Sequence, residues 1–139
     1  MKLELHATAE EVMRAVESLQ QYAQAKRVPE KLAFGLALAL EECGSNVVNH
    51  ALRGDARKKF RVGFARRGNE FVIELRDRGP EFDPTAAAGR AAEAAEGDPP
   101  GGWGIQIVRR YMDSIRYTRK SGENVLRLTK RLAPAAGAK

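Results

Sequence analysis

The sequence predicts an α/β two-layer sandwich, a mixed but mainly antiparallel sheet with three helices on one face. Three observations carry this expectation. Apolar residues alternate at every second position in short runs (Leu3 and Leu5; Phe60, Val62 and Phe64; Phe71, Ile73 and Leu75), as half-buried strands require. They recur every three or four positions in Val12, Val16, Leu19 and Ala23 and again in Leu36, Leu40, Cys43 and Val47, the stripe of an amphipathic helix. Two of the strand runs flank Arg67-Gly68-Asn69, a short turn that pairs neighbours antiparallel.

The elements follow in order. Leu3 and Leu5, alternating with Lys2, Glu4 and His6, form a short edge strand. Thr8 offers an N-cap with Glu11 three residues on, and the first helix runs to about Arg27. Pro29 fits the first turn of a second helix that stops near Gly54. The runs 59–65 and 71–75 make the central hairpin, the second leading straight into Asp77. Residues 85–100 are small and polar with no large apolar anchor, which reads as a loop. Ile105 to Met112 forms a third helix, and Ser114 to Arg119 with Val125 to Leu132 forms a closing hairpin around Ser121-Gly122. Residues 133–139 read as a disordered tail, so the expectation is one domain over 1–132.

With 139 residues, 43% of them hydrophobic, the chain can bury one sizeable core. No apolar run approaches the roughly 20 residues of a membrane span, and the start lacks a signal peptide's apolar region, so a cytoplasmic location is expected. A lone Cys43 excludes an internal disulfide. The net charge of +6 comes from two clusters, Arg53 to Arg67 and Arg109 to Arg131. Few aromatics interleave with them and no nucleic-acid-binding signature appears, so solvated strand residues or an acidic protein partner are preferred to nucleic acid.

Three blocks carry candidate chemistry. At helical spacing Glu42, Asn46, Asn49 and His50 gather on a face away from the apolar stripe. A carboxylate and an amide oxygen one turn apart suit a hard cation such as Mg²⁺, which would in turn hold phosphates. Asp77, at a strand end, can accept a hydrogen bond from an exocyclic amino group such as that of adenine, and Gly79 leaves the base room to approach. Gly101-Gly102-Trp103-Gly104-Ile105 opens a helix, where backbone N–H groups and the positive helix end attract phosphate. Each block alone has a plainer reading: a solvated helix face, an Asp-Arg-Gly turn and a tight loop-to-helix junction.

In this order and spacing the three blocks resemble the nucleotide-binding boxes of the GHKL (Bergerat-fold, HATPase_c) ATPases, which include gyrase, Hsp90, histidine kinases and MutL. The short length, Phe82-Asp83-Pro84 after the Asp box and the run Arg109-Arg110-Tyr111-Met112-Asp113 resemble the RsbW-like anti-sigma-factor serine/threonine kinases. The resemblance covers nearly the whole chain and implies Glu42 as catalytic base and Asn46 as Mg²⁺ ligand. It places Asn46, Asn49, Asp77, Gly79, Phe82, Gly101, Gly102, Trp103, Gly104 and Ile105 around ATP, with a nucleotide lid over about 84–102. Glu81 departs from the pattern, because a second glycine is common there.

The resemblance further implies phosphorylation of a STAS-type anti-sigma-factor antagonist, a sigma factor as second partner, and a homodimer, with no membrane association. The alternatives are a catalytically silent ATP-binding module that sequesters its partner, a nucleic-acid-binding protein using the basic clusters, and a plain ATPase.

Overall fold

The computed structural model describes residues 1–87 and 101–132, except for the side chains at 87 and 101–103. Five strands, β1 (Lys2–His6), β2 (Lys59–Arg67), β3 (Glu70–Asp77), β4 (Ser114–Lys120) and β5 (Glu123–Arg131), form one sheet in the order β1-β2-β3-β5-β4. All four neighbouring pairs are antiparallel, so the parallel component expected of a mixed sheet is absent among the described residues. The two-layer class is as expected, and tight hairpin turns account for two of the four pairings, β2–β3 and β4–β5. Gly68 takes φ +62° in a two-residue turn, while Ser121 and Gly122 both take positive φ (52° and 79°), the geometry that matches strand twist.

Helices α1 (Ala9–Ala25), α2 (Glu30–Asn46) and α4 (Gly101–Tyr111) join this sheet, with a single turn α3 (Pro84–Ala87) between. Thr8 caps α1 as expected, its Oγ1 accepting from the Glu11 N–H at 3.1 Å. The Glu11 carboxylate reaches back to the His6 N–H rather than to that of Thr8. The inward residues of the strands (Leu5, Phe60, Phe71, Ile73, Leu75 and Leu128) meet Leu19, Leu36, Leu40 and Ile105 in one core, all at most 2% exposed. Burying each such side chain stabilises by about 1.5–3 kcal/mol. Tyr22 ties α1 to the central hairpin: its ring stands edge-on to Phe64 and Phe71, and its hydroxyl accepts from the Arg66 N–H at 3.1 Å.

Two departures from the sequence reading bear on function. The third helix begins at Gly101 rather than Ile105. Glycines at 101, 102 and 104 each disfavour a helix by about 1 kcal/mol; Gly104 lies against the Glu42 side chain of α2, whose carboxylate would have to shift to admit a Cβ. Second, α2 passes into a π-helical turn over Val47–Ala51 before ending near Gly54. The wider turn shifts the angular phase of its side chains, and Asn46 and Asn49 part company: Asn46 is buried and Asn49 exposed. The expected lid falls mostly on 88–100 and the expected tail on 133–139, both outside the described residues; at the lid's described flanks, 84–87 and 101–102 are helical.

The basic clusters find a place in this architecture. The strand residues pointing away from the helices include nine Lys or Arg and four Glu, so the open sheet face carries +5 of the chain's +6. Arg61 and Arg76 pair with Glu123, and Arg76 and Arg127 with Glu74. No helix of the described residues is long and apolar enough to cross a membrane.

Candidate functional site

The candidate site is built where the end of α2, the end of β3 and the start of β5 converge. Asp77 sits at the last position of β3 with Asn124 opposite it in the register, so both point into the helix layer. Asp77 is 4% exposed. Its Oδ1 accepts from the Gly79 N–H and from Asn124 Nδ2, each at 2.9 Å. Burial raises the Asp77 pKa above the usual carboxylate value, and these two hydrogen bonds and the Arg119 charge oppose the shift. A Cβ on Gly79 would stand 2.5 Å from the Ala51 carbonyl oxygen, so only glycine lets the Asp box pass so close to the end of α2.

Asn124 was not among the residues singled out from sequence, and it is the hub of the site. Besides Asp77, its Nδ2 donates to the Pro80 carbonyl at 2.9 Å. Its Oδ1 accepts from the Phe82 N–H at 3.2 Å, from Arg119 Nη1 at 3.1 Å and from the Tyr117 hydroxyl. Arg119 also donates to the Gly79 carbonyl at 2.6 Å. One amide therefore holds the Asp carboxylate, the loop 79–82 and strand β4 in register. The available signal was a polar residue on the inward phase of β5, next to Leu126 and Leu128. Asn124→Ala is expected to cost about 2–4 kcal/mol of stability, because it strips buried donors and acceptors of partners. Urea unfolding of the variant measures this directly.

Asn46, Asp77, Phe82, Tyr117 and Asn124 line one cavity of about 20 Å³. Such a volume suits about one water and is far too small for a purine. Phe82 closes it from the loop side and stacks on His50, with ring centroids 5.6 Å apart and planes 16° apart. Asn46 Nδ2 is buried without a hydrogen-bond partner, an orphan donor at a cavity whose walls are mostly apolar. One turn earlier, Glu42 is half-buried beside Gly104 of α4. Burial first, and the Glu41 charge second, push its pKa up. Cys43 between them is fully buried, its thiol pushed up to about 12, and serves as core.

The structure thus brings Asn46, Asp77, Gly79 and Phe82 together and sets Glu42 against Gly104. Asn49 is exposed and outside the cavity lining, and the Ile105 side chain lies in the core. Gly101, Gly102 and Trp103 form the first turn of α4; the Trp103 side chain lies outside the described residues. No cluster of three or more His, Cys, Asp or Glu suited to a metal occurs among the described residues. A hard cation here would rely on the Asn46 amide oxygen and on ligand phosphates, as Mg²⁺ often does. The Asn46 amide oxygen suits Mg²⁺ and its unpartnered Nδ2 donor suits a phosphate or base acceptor, so the residue fits a nucleotide–Mg²⁺ group.

Residues 5–130 match the family described as the histidine kinase-like ATPase domain. The chain is 31% identical over 133 residues to the serine/threonine-protein kinase BtrW of Bordetella bronchiseptica, covering 95% of this chain and 94% of that one. Among solved structures, the RsbU and RsbW domains of a Mycobacterium tuberculosis protein superpose with TM-score 0.69 at 18% identity, over 95% of this chain and 31% of that one. The SiaB–SiaC complex from Pseudomonas aeruginosa gives TM-score 0.69 at 15% identity, over 93% of this chain and 88% of the matched chain. These two likenesses show a shared fold.

Proposed function

The chain belongs to the histidine kinase-like ATPase family, and from that premise we propose that it is an ATP-dependent serine/threonine protein kinase. Its substrate is a STAS-type anti-sigma-factor antagonist, and its second partner is the sigma factor that it holds when the antagonist is phosphorylated. It works as a homodimer. The observation that carries the reading is the pairing on α2 of a carboxylate of raised pKa, Glu42, with a buried amide, Asn46, that has an unpartnered donor and shares a cavity with Asp77.

Asp77 receives the adenine amino group, Gly79 lets the loop beside it pass close to the end of α2, and Asn124 keeps the carboxylate aimed. Because the cavity is small, Phe82 and Pro84 move outward as the base enters. Asn46 offers its amide oxygen to Mg²⁺, and the first turn of α4 faces the phosphates with its N–H groups. Glu42 takes the proton from the attacking serine or threonine hydroxyl, a task favoured by a carboxylate whose pKa is raised by burial. Bound Mg·ATP supplies the phosphoryl group and offsets its charge during transfer.

Transfer of labelled γ-phosphate to unphosphorylated STAS-domain proteins from the same genome tests the reading. One of them acquires a single phosphoserine or phosphothreonine. Absence of transfer to every one, with Mg·ATP demonstrably bound, points instead to a silent ATP-binding module.

A further inference from the structure

Helices α2 and α4 leave an apolar patch uncovered on the outside of the helix layer. Phe34 is 60% exposed, the most exposed large hydrophobic side chain among the described residues, and Ile107 is 37% exposed. The patch is braced. The Tyr111 ring lies so close over Gly35 that a Cβ there would stand 2.7 Å from Cδ1, and Phe34 meets the same ring edge-on at 6.3 Å. A fixed, exposed aromatic of this kind is the usual anchor of a protein interface.

Its position relative to the candidate base gives the patch a direction. Phe34, Leu38 and Glu42 follow one another at i, i+4 and i+8, so they share one face of α2. Eight residues span about 12 Å of helix. Alongside, Gly104, Ile107 and Tyr111 share a face of α4, with Gly104 against the Glu42 carboxylate and Tyr111 against Phe34. The two helices therefore form a lane that starts at an aromatic anchor and ends at the candidate general base. Lys31, three residues before Phe34, and Arg110, three after Ile107, add positive charge at the anchor end; neither belongs to an ion pair of the described residues.

We infer that this lane is the docking surface for the protein phosphoacceptor. The occupant presents an apolar side chain to Phe34 and Ile107, acidic residues to Lys31 and Arg110, and its hydroxyl about 12 Å further on at Glu42. A small-molecule acceptor has no use for an anchor so far from the reacting group. The inference rests on the kinase reading above.

The test compares the wild type, Phe34→Asp and Met13→Asp, a control at another exposed hydrophobic on α1. The acceptors are the unphosphorylated STAS-domain proteins of the same genome. The expected result for Phe34→Asp is a KM for the acceptor raised about tenfold or more, with the KM for ATP and the Mg·ATP-dependent rise in melting temperature unchanged, and only the small fall in ligand-free melting temperature that loss of the Tyr111 contact brings. Met13→Asp behaves as wild type. An unchanged acceptor KM in Phe34→Asp, with wild-type transfer intact, overturns the docking lane while leaving the kinase reading standing. A dimer split by Phe34→Asp in sedimentation overturns it too, since a second copy then covers Phe34. No transfer by the wild type removes the kinase reading and the lane together.

Discussion

Glu42→Ala is expected to lower phosphoryl transfer to the acceptor protein by about 10²–10⁴-fold while leaving Mg·ATP binding close to that of the wild type. The asymmetry follows from where Glu42 stands. It is half-buried at the junction of α2 with Gly104, outside the lining of the cavity around Asp77, so its loss leaves the proposed base-recognition residues untouched. Its pKa is raised above 4.5, by burial first and by Glu41 second. A general base works only when unprotonated, so transfer rises with pH through that raised pKa and is lost as pH falls below it. The acid limb of the wild-type pH–rate profile therefore lies above 4.5, and it is missing from the residual activity of Glu42→Ala. An acid limb that survives in the variant assigns the base to another group.

Asp77→Asn carries the largest expected effect on binding. The substitution keeps the shape of the side chain, and the Asn124 and Gly79 donors can still be met by the amide oxygen. What changes is the atom offered to the ligand: an amino donor replaces a carboxylate oxygen and faces the amino group of adenine. Losing a hydrogen bond to a charged acceptor and gaining an unsatisfied buried donor costs about 2–4 kcal/mol, a weakening of roughly 30- to 1,000-fold. Guanine presents a carbonyl where adenine presents its amino group, so the variant also loses its preference between the two.

The sequence and the structure agree most closely where a single period governs the side chains. Leu5, Phe60, Val62, Phe64, Ile73 and Leu75 alternate cleanly and are all buried, and the Leu36–Leu40–Cys43–Val47 stripe is buried as the 3.6-residue period requires. Asp77, Gly79 and Asn46 could be singled out because the three blocks together resemble a family's nucleotide boxes, and the structure sets the three near one another. The remainder depends on tertiary terms. The start of α4 at Gly101 defies helix propensity, the π-turn at Val47–Ala51 parts Asn49 from Asn46, and Asn124 acquires its role only through the register that sets it opposite Asp77. None of these is written in a window of ten residues.

The central claim, an adenine pocket organised by Asp77 in this fold, is tested most directly by the melting temperature with Mg·ATP, Mg·ADP and Mg·GTP, for the wild type and Asp77→Asn. At about 100 times the dissociation constant a ligand adds about 2.7 kcal/mol of stability. For a chain of this size that is a rise of roughly 5–15 °C. The account predicts such a rise for the two adenine nucleotides in the wild type, little for GTP, and its loss in Asp77→Asn at the same concentrations. A wild-type protein that GTP stabilises as well as ATP, or an Asp77→Asn variant that keeps the full adenine-selective rise, would contradict it.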